Sequence, residues 1–549
     1  MQKYQLTIIF LLFFFCLPPI GAASFGEGDW SGGFQRPESR VFVHAHFVTT
    51  NSETTGTIDV VDMSISTRPE DNPSDAVSKF GYVPSTLLLS KPLENLELTP
   101  SHIHFKLTDK DNPASFDGRA TNGVMTGIVQ DHGMKLPFHL ALMAQVDPSR
   151  YQGYYQVGPE HFISIFPAPH VPLLLSLDAR SGQIRVLLPR SQADFSGGSE
   201  YDTFYPVAVS VHFATNQLDQ FTTFQWKPKN SPTLVGARIK ALPEEEVLFT
   251  NGGVTLSGTF VLPPTKGPHP AVVLVSGSGS SLRTDLRLVA DFFALNGVAA
   301  LIYDKRGCGR SAGDWSKSSF DDLAGDALTG LEALKNRPDI NSRQIGLWGI
   351  SQGGWIVSLA ASRCADVAFI ISVSGPGITP EAQGAYTVEH WMKAAGYSEA
   401  DVNEAGSLYL LTMRCSRTDN GWDELKTERQ ADQKRTWYRA CPYLDRNASG
   451  PSKFWQLIGN YDPVPALHKV HCPVLAIFGE SDPFVPARNS AGIWKAALRE
   501  AGDHDVVIRI FPHADHAIAD TRTWTTQPGF FSLQRDWLLN HVTVNSGGF

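Results

Sequence analysis

At 549 residues the chain is longer than one hydrophobic core organises, so two or three domains are expected. Hydrophobic residues make up 42% and charged residues 18%, which is globular composition and excludes a disordered chain. A formal net charge of -9 offers no basic field to a phosphate backbone, so no nucleic-acid partner is expected.

The chain opens with Lys3, an apolar run from Leu6 to Leu17, the breaker Pro18-Pro19 and the small residues Gly21-Ala22-Ala23. This reads as a signal peptide over residues 1–23, cleaved before Ser24. The apolar run is shorter than the roughly 20 residues of a spanning helix. A secreted or periplasmic protein without stable membrane insertion is therefore expected. Cys16 lacks the small-residue context of a lipoprotein signal. Beyond it stand Cys308, Cys364, Cys415, Cys441 and Cys472, an odd set that cannot pair completely within one chain. No Cys-x-x-Cys occurs, so a structural zinc site is not expected. Export permits a disulfide, and Cys415 with Cys441 is the candidate pair because both fall in one inserted segment.

Residues 24–240 are expected to be β-rich. Val41 to Val48, His102 to Leu107 and Gly182 to Leu188 alternate as strands do, and Gly118, Gly123, Gly127 and Gly133 punctuate short apolar runs. The pattern suits a small barrel or sandwich, or two such lobes with a junction near residue 147. His44 with His46, and His102 with His104, each share one strand face. Half a metal site is one reading and partly solvated histidines the simpler one. No catalytic constellation stands out, and the role of this region is left open. Lys227-Pro228-Lys229-Asn230-Ser231-Pro232 reads as a linker.

From Pro243 to residue 549 the pattern changes. Strands are expected at Val247 to Phe249, Leu256 to Leu262, Ala271 to Val275, Ala299 to Tyr303, Ile345 to Trp348, Phe369 to Val373 and Val474 to Phe478. The later ones are continuously apolar, as strands buried on both faces are. Helical stretches at Leu286 to Leu295, Phe320 to Asn336 and Gly353 to Ser362 separate them, which predicts a doubly wound, mostly parallel α/β sheet. Residues 379–465 form an insertion of helical pattern containing Trp391, Trp422, Trp437 and Trp455. Its place beyond a strand end predicts a cap over the sheet's carboxyl edge, with the tryptophans suggesting an apolar pocket.

The chemistry-bearing motif is Gly349-Ile350-Ser351-Gln352-Gly353, between an apolar strand and the run Trp355 to Ala361. A nucleophilic serine on a sharp strand-to-helix turn needs small residues two positions to either side, here Gly349 and Gly353. A second match, Gly309-Arg310-Ser311-Ala312-Gly313, follows a polar loop and precedes no apolar helix, so context selects Ser351. A serine hydroxyl needs a base, and in this kind of sheet the order is serine, acid, histidine. The acid is read as Asp482, before Pro483, with Glu480 as the neighbouring choice. The base is read as His516, with His513 as the alternative, and Asp515 is the one other carboxylate worth testing. The turn Ser276-Gly277-Ser278-Gly279 ends a strand, so the backbone N–H of Ser278 can join that of Gln352 to form an oxyanion hole.

Together these stretches resemble the α/β-hydrolase superfamily over residues 243–549, within it secreted bacterial EstD-like esterases with dienelactone-hydrolase and S9-peptidase relatives. The likeness rests on Gly258-Thr259-Phe260-Val261-Leu262-Pro263, Ser276-Gly277-Ser278-Gly279, Tyr303-Asp304-Lys305-Arg306-Gly307-Cys308-Gly309-Arg310-Ser311, the serine turn and the two later loops. Such proteins usually begin the oxyanion loop with histidine, where this chain has Ser276. The resemblance implies ester cleavage by a Ser351–His516–Asp482 triad, a small-molecule ester substrate, a cap that shapes the pocket, and no metal or cofactor. A peptidase or amidase with the same triad, and a catalytically silent binding protein, are the alternatives.

Overall fold

The computed structural model describes residues 27–544, apart from 37–39, 52, 66–83, 100–101, 111–112, 168–172, 199–206, 240, 503–504 and 522–525. The expected signal segment 1–23 lies outside the described residues. Three bodies follow one another along the chain, two β-barrels and then an α/β domain.

The first barrel runs from β1 (Gly28–Gln35) to β8 (Met134–Met143), with every strand antiparallel to its neighbour. Pairing of β1 with β8, for example Trp30 opposite Leu142, closes it. Alternation explains the closure. Along Val41 to Phe47 each odd residue is buried and each even one is partly exposed, so one face supplies the core. Phe47, Phe105, Phe116 and Phe138 fill the interior, Phe105 stacking on Phe116 at 4.6 Å between centroids.

The second barrel runs from β9 (Gly153–Gly158) to β16 (Leu234–Ile239) and closes by pairing those two strands. Its core is Tyr151, Tyr155, Phe195, Phe213 and Phe224. The buried phenols are satisfied internally: Tyr155 donates to the Tyr151 carbonyl at 2.9 Å, and Tyr151 to that of Gln192 at 2.7 Å. The stretch 227–232 is not a linker between domains. Lys227 and Pro228 end β15 (Phe221–Pro228), and the polar residues after them turn the chain into β16, which completes the barrel. Lysine, proline and asparagine mark a hairpin turn as readily as a domain boundary.

The third body is an α/β sheet of strands β17 (Glu244–Asn251), β18 (Val254–Val261), β19 (His269–Val275), β20 (Ala299–Tyr303), β21 (Ile340–Ile350), β22 (Ile370–Val373), β23 (Val474–Gly479) and β24 (Val506–Phe511). Their spatial order is β17-β18-β20-β19-β21-β22-β23-β24. β18 runs antiparallel to both its neighbours, β17 and β20, and every other pairing in the sheet is parallel. Every residue of β19, β22 and β23 is buried, which is why these strands carry no polar alternation. Helices α1 (Arg287–Leu295), α2 (Phe320–Lys335) and α3 (Gln352–Ala361) cross between the early strands. Helices α4 (Pro380–Ala394), α5 (Glu399–Thr418), α6 (Trp422–Asp432), α7 (Trp437–Ala440) and α8 (Lys453–Ile458) form the insertion between β22 and β23. After the one-turn α9 (Val464–Leu467), α10 (Ala487–Glu500) follows β23, and α11 (Phe530–Leu539) closes the domain.

The insertion has its own core of Val388, Met392, Leu408, Tyr409, Met413 and Trp437. Trp437 is therefore a packing residue rather than a pocket wall, its indole N–H donating to Glu404 at 3.1 Å. The second barrel also shares a core with the α/β domain: Leu175, Leu177 and Val186 join the cluster that contains Phe292, Phe293, Phe531 and Trp537. At the edge of that contact Tyr154 donates to Asp291 at 2.9 Å and accepts from Arg287 at 3.0 Å. No helix among the described residues is long and apolar enough to cross a membrane.

Candidate active site

Ser351 sits between β21 and α3 with φ 56° and ψ -122°, a conformation that L-residues adopt only under constraint. The constraint is visible at its flanking glycines. A Cβ on Gly349 would stand 2.3 Å from the Gly353 carbonyl oxygen, and one on Gly353 would stand 2.5 Å from that of Val275. Both positions must lack a side chain for the strand to turn so tightly into the helix. The turn aims Ser351 off the carboxyl edge of the sheet, ahead of the N-terminus of α3, where negative charge is favoured.

The acid and histidine loops reach the same edge from β23 and β24. Asp482 is buried, and its Oδ2 lies 2.7 Å from His516 Nδ1. Its other oxygen accepts the backbone N–H groups of Phe484 (2.8 Å) and Val485 (3.0 Å), so the carboxylate is fixed before any substrate arrives. Burial alone would depress the His516 imidazolium, but the Asp482 charge and hydrogen bond outweigh it and hold its pKa above the ordinary value. The last residue of β22 and the one after it tie the pieces together. The Ser351 N–H donates to the Val373 carbonyl at 2.8 Å, and the Ser374 hydroxyl donates to the His516 carbonyl at 2.9 Å. The Phe484 ring packs edge-on against His516 at 5.2 Å, and from the cap Tyr386 donates to the Asp482 carbonyl at 2.9 Å.

The alternatives go elsewhere. Glu480 pairs with Arg488 at 2.5 Å, and His513 is exposed, at φ 55°. Asp515 is a loop brace, accepting the N–H groups of Ala517 and Ala519 at 2.8 Å each. The second glycine-serine match is a buried brace too: Ser311 donates to the Asp304 carbonyl at 2.6 Å and accepts from the Ser257 N–H at 2.9 Å.

The loop after β19 lies over the serine. A Cβ on Gly277 would come within 3.4 Å of Ser351 Cβ and 3.9 Å of its Oγ, so Gly277-Ser278 passes beside the Ser351 turn. Beneath that loop is a residue that motif reading gave no role. Lys305 is buried, and its Nζ donates to the Gly277 carbonyl at 2.7 Å and to Gln352 Oε1 at 2.6 Å. Its acceptors are neutral, so burial dominates and pushes the ammonium down to about 7, against weaker opposing pulls from Cys308 and Asp326. Asp326 itself is occupied by the two-pronged guanidinium of Arg306, at 2.6 and 2.8 Å. The sequence signal for Lys305 was its place in Tyr303-Asp304-Lys305-Arg306; what it touches depends on chain contacts 28 and 47 residues away.

Among the described residues one group carries the donor types of a metal site, His102, His104 and Asp117, with ligand atoms within 4.8 Å of one another. Asp117 comes from the next strand, opposite His104, a partner that spacing along one strand could not supply. Asp117 lies 3.3 Å from each ring, and Glu97 holds the other nitrogen of His102 at 2.8 Å. The histidines are thus partly solvated on the barrel surface, as the simpler reading has it, and each also meets an acidic oxygen there. His46 likewise meets Asp29 at 2.7 Å. Cys415 and Cys441 do not form the expected bridge: both are free, buried thiols. Cys415 faces the turn at Gly421, where an added Cβ would lie 3.2 Å from its sulfur, whereas the Cys441 thiol reaches the Pro442 carbonyl at 3.5 Å.

The sheet order, the helical insertion and the serine turn define an α/β-hydrolase domain. Residues 266–521 match the family described as serine aminopeptidase, S33. The polyketide transferase grgF of Penicillium is 33% identical over 139 residues, 24% of this chain and 45% of that protein. Esterase EstD of Thermotoga maritima is 25% identical over 280 residues, 50% of this chain and 60% of that protein. The thiohydrolase aneE of Aspergillus aculeatus is 34% identical over 140 residues, 24% of this chain and 42% of that protein. This chain thus spans about half the length of these relatives. Among solved structures, the Pyrococcus furiosus esterase Pf2001 is similar over 55% of this chain and 91% of its own, at 18% identity and TM-score 0.38. The third body thus has the α/β-hydrolase fold, and residues 266–521 of it match that family model.

Proposed function

We propose that the chain is a serine hydrolase that cleaves carboxylic esters through an acyl-enzyme. The observation that carries this reading is the buried Asp482 carboxylate 2.7 Å from His516 Nδ1, at the strand-end edge from which the strained Ser351 turn projects. With Nδ1 held by Asp482, Nε2 is the nitrogen left to accept the serine proton. Ser351 Oγ attacks the ester carbonyl as His516 takes its proton, and Asp482 stabilises the imidazolium that forms. The developing oxyanion is received by the N–H groups of Ser278 and Gln352. The alcohol departs with the proton from His516. Water, deprotonated by the same imidazole, attacks the acyl carbon and releases the acid and Ser351. Similarity to an esterase and a thiohydrolase supports acyl chemistry of this kind.

The test is active-site labelling followed by a substrate panel. A fluorophosphonate should label the wild-type protein once and leave Ser351→Ala unlabelled. Short p-nitrophenyl esters should turn over while aminoacyl anilides do not. Anilide cleavage without ester cleavage would shift the reading to a peptidase, and an unlabelled wild type would end it.

A further inference from the structure

We infer that Lys305 is the positioning residue of the oxyanion hole, its ammonium clamping the loop after β19 to the residue that follows the nucleophile. The inference rests on the serine-hydrolase reading and deepens it. The hole needs two N–H groups from distant parts of the chain, Ser278 and Gln352, to converge on one point. Nothing in either local sequence fixes their separation. Ser278 follows Ser276-Gly277, a pair with no local sequence constraint on its backbone, and Gln352 begins α3. Lys305 spans the gap directly, with Nζ at 2.7 Å from the Gly277 carbonyl and 2.6 Å from Gln352 Oε1. The Gly277 carbonyl belongs to the same peptide unit as the Ser278 N–H, so holding that oxygen on one side aims the N–H to the opposite side. A carbonyl free to rotate would swing its N–H off the substrate oxygen.

Lys305 is itself anchored from every element around it. Its N–H donates to the Ser281 carbonyl at 3.1 Å, its carbonyl accepts from the Cys308 N–H at 2.9 Å, and Nζ lies 5.6 Å from the Trp315 ring centroid. The charged and titratable groups that face it are Cys308 on its own loop and Asp326 on α2, and Asp326 is paired with Arg306. Among the described residues no carboxylate touches the ammonium, whose acceptors are the neutral Gly277 carbonyl and Gln352 Oε1, so its charge is not cancelled where it stands. An unpaired buried cation is costly, and here it lies directly behind the point where negative charge develops during acyl transfer. Position and charge therefore act together: the clamp orients the donors, and the ammonium favours the oxyanion they receive.

The experiment compares full-length wild type, Lys305→Met, Gln352→Met and the double variant with p-nitrophenyl butyrate and a fluorophosphonate. Loss of the clamp in Lys305→Met should lower kcat by roughly 100-fold, as loss of one oxyanion donor does, with KM changed by less than about threefold. Fluorophosphonate labelling should slow in parallel, and Tm should stay within a few degrees of wild type. Gln352→Met keeps the backbone donor and should lose about tenfold in kcat, while the double variant should be no worse than Lys305→Met alone. A wild-type decline in kcat above pH about 7 should be missing from Lys305→Met. A kcat for Lys305→Met within about threefold of wild type, a loss carried by KM, or additive losses in the double variant would overturn the inference. Should Lys305→Met fail to fold, Gln352→Met decides alone, an unchanged kcat overturning it. Wild-type protein that neither hydrolyses nor labels would instead sink the serine-hydrolase reading, a result separate from a labelled wild type with an indifferent lysine.

Discussion

The barrels and the α/β domain bury different things. The barrel interiors are aromatic and aliphatic, with phenols satisfied by nearby carbonyls, and within the residues described Asp131, held by Arg36 at 2.7 Å, is the only buried ionisable carboxylate there. Near the carboxyl edge of the α/β sheet, by contrast, Asp304, Lys305, Arg306, Asp326, Asp482 and Asp515 are all buried. Removing a charge from water costs several kcal/mol unless partners compensate. A region that concentrates such groups is held for geometry and chemistry rather than for stability alone. The barrels are built to be stable; the edge is built to hold charges in place.

That contrast can be broken from either side, and the largest effect expected is chemical. Ser351→Ala should reduce ester turnover by about 10,000-fold or more while Tm stays near the wild-type value. A residual rate within about tenfold of wild type would mean that another group attacks the ester. Asp482→Asn comes next. It should keep the fold and lose roughly 10,000-fold in kcat, because an amide can no longer hold the imidazole in the required tautomer. On the barrel side, Phe213→Ala should lower stability by about 3–5 kcal/mol, measured by denaturant unfolding, with kcat per folded molecule unchanged. A fall in kcat at constant folded fraction would show that the barrel communicates with the site.

Two smaller effects sharpen the comparison. On the proposed mechanism the base form of His516 does the work, and its pKa is raised, so kcat/KM should rise with pH through a value above 6.5 and fall about tenfold per unit below it. The same shift contributes stability at low pH that is lost as pH rises through the folded value, so activity and this contribution run in opposite directions. An acid limb below 6.5 would show that Asp482 does not govern the imidazole. Last, Tyr154→Phe removes the hydroxyl that joins Asp291 and Arg287 across the contact between the second barrel and the α/β domain, at a cost of about 1–2 kcal/mol in Tm-derived stability.

The parts legible in the sequence were those whose cause is local. β19, β22 and β23 announce themselves because strands buried on both faces have no polar alternation. The glycines around Ser351 are required by neighbours within a few residues and by the adjacent strand end. What stayed hidden depends on contacts made across the chain. Closure of β1 onto β8, the arrival of Asp117 beside His104, and the reach of Lys305 to Gln352 follow from register and topology rather than from spacing. The stretch 227–232 was misread because a proline-rich turn inside a barrel and one between domains share the same composition. Trp437 was misread because a large aromatic signals burial without saying whether its neighbours are substrate or helix.

The shared core between the second barrel and the α/β domain sets a limit on dissection. A fragment starting at Pro243 would leave Phe292, Phe293 and Phe531 without Leu175, Leu177 and Val186, baring a greasy patch that folded monomers seldom tolerate. Such a fragment should self-associate or need detergent to stay dispersed. The second barrel thus covers an apolar face of the α/β domain, and a fragment meant to stay dispersed has to begin upstream of Tyr151.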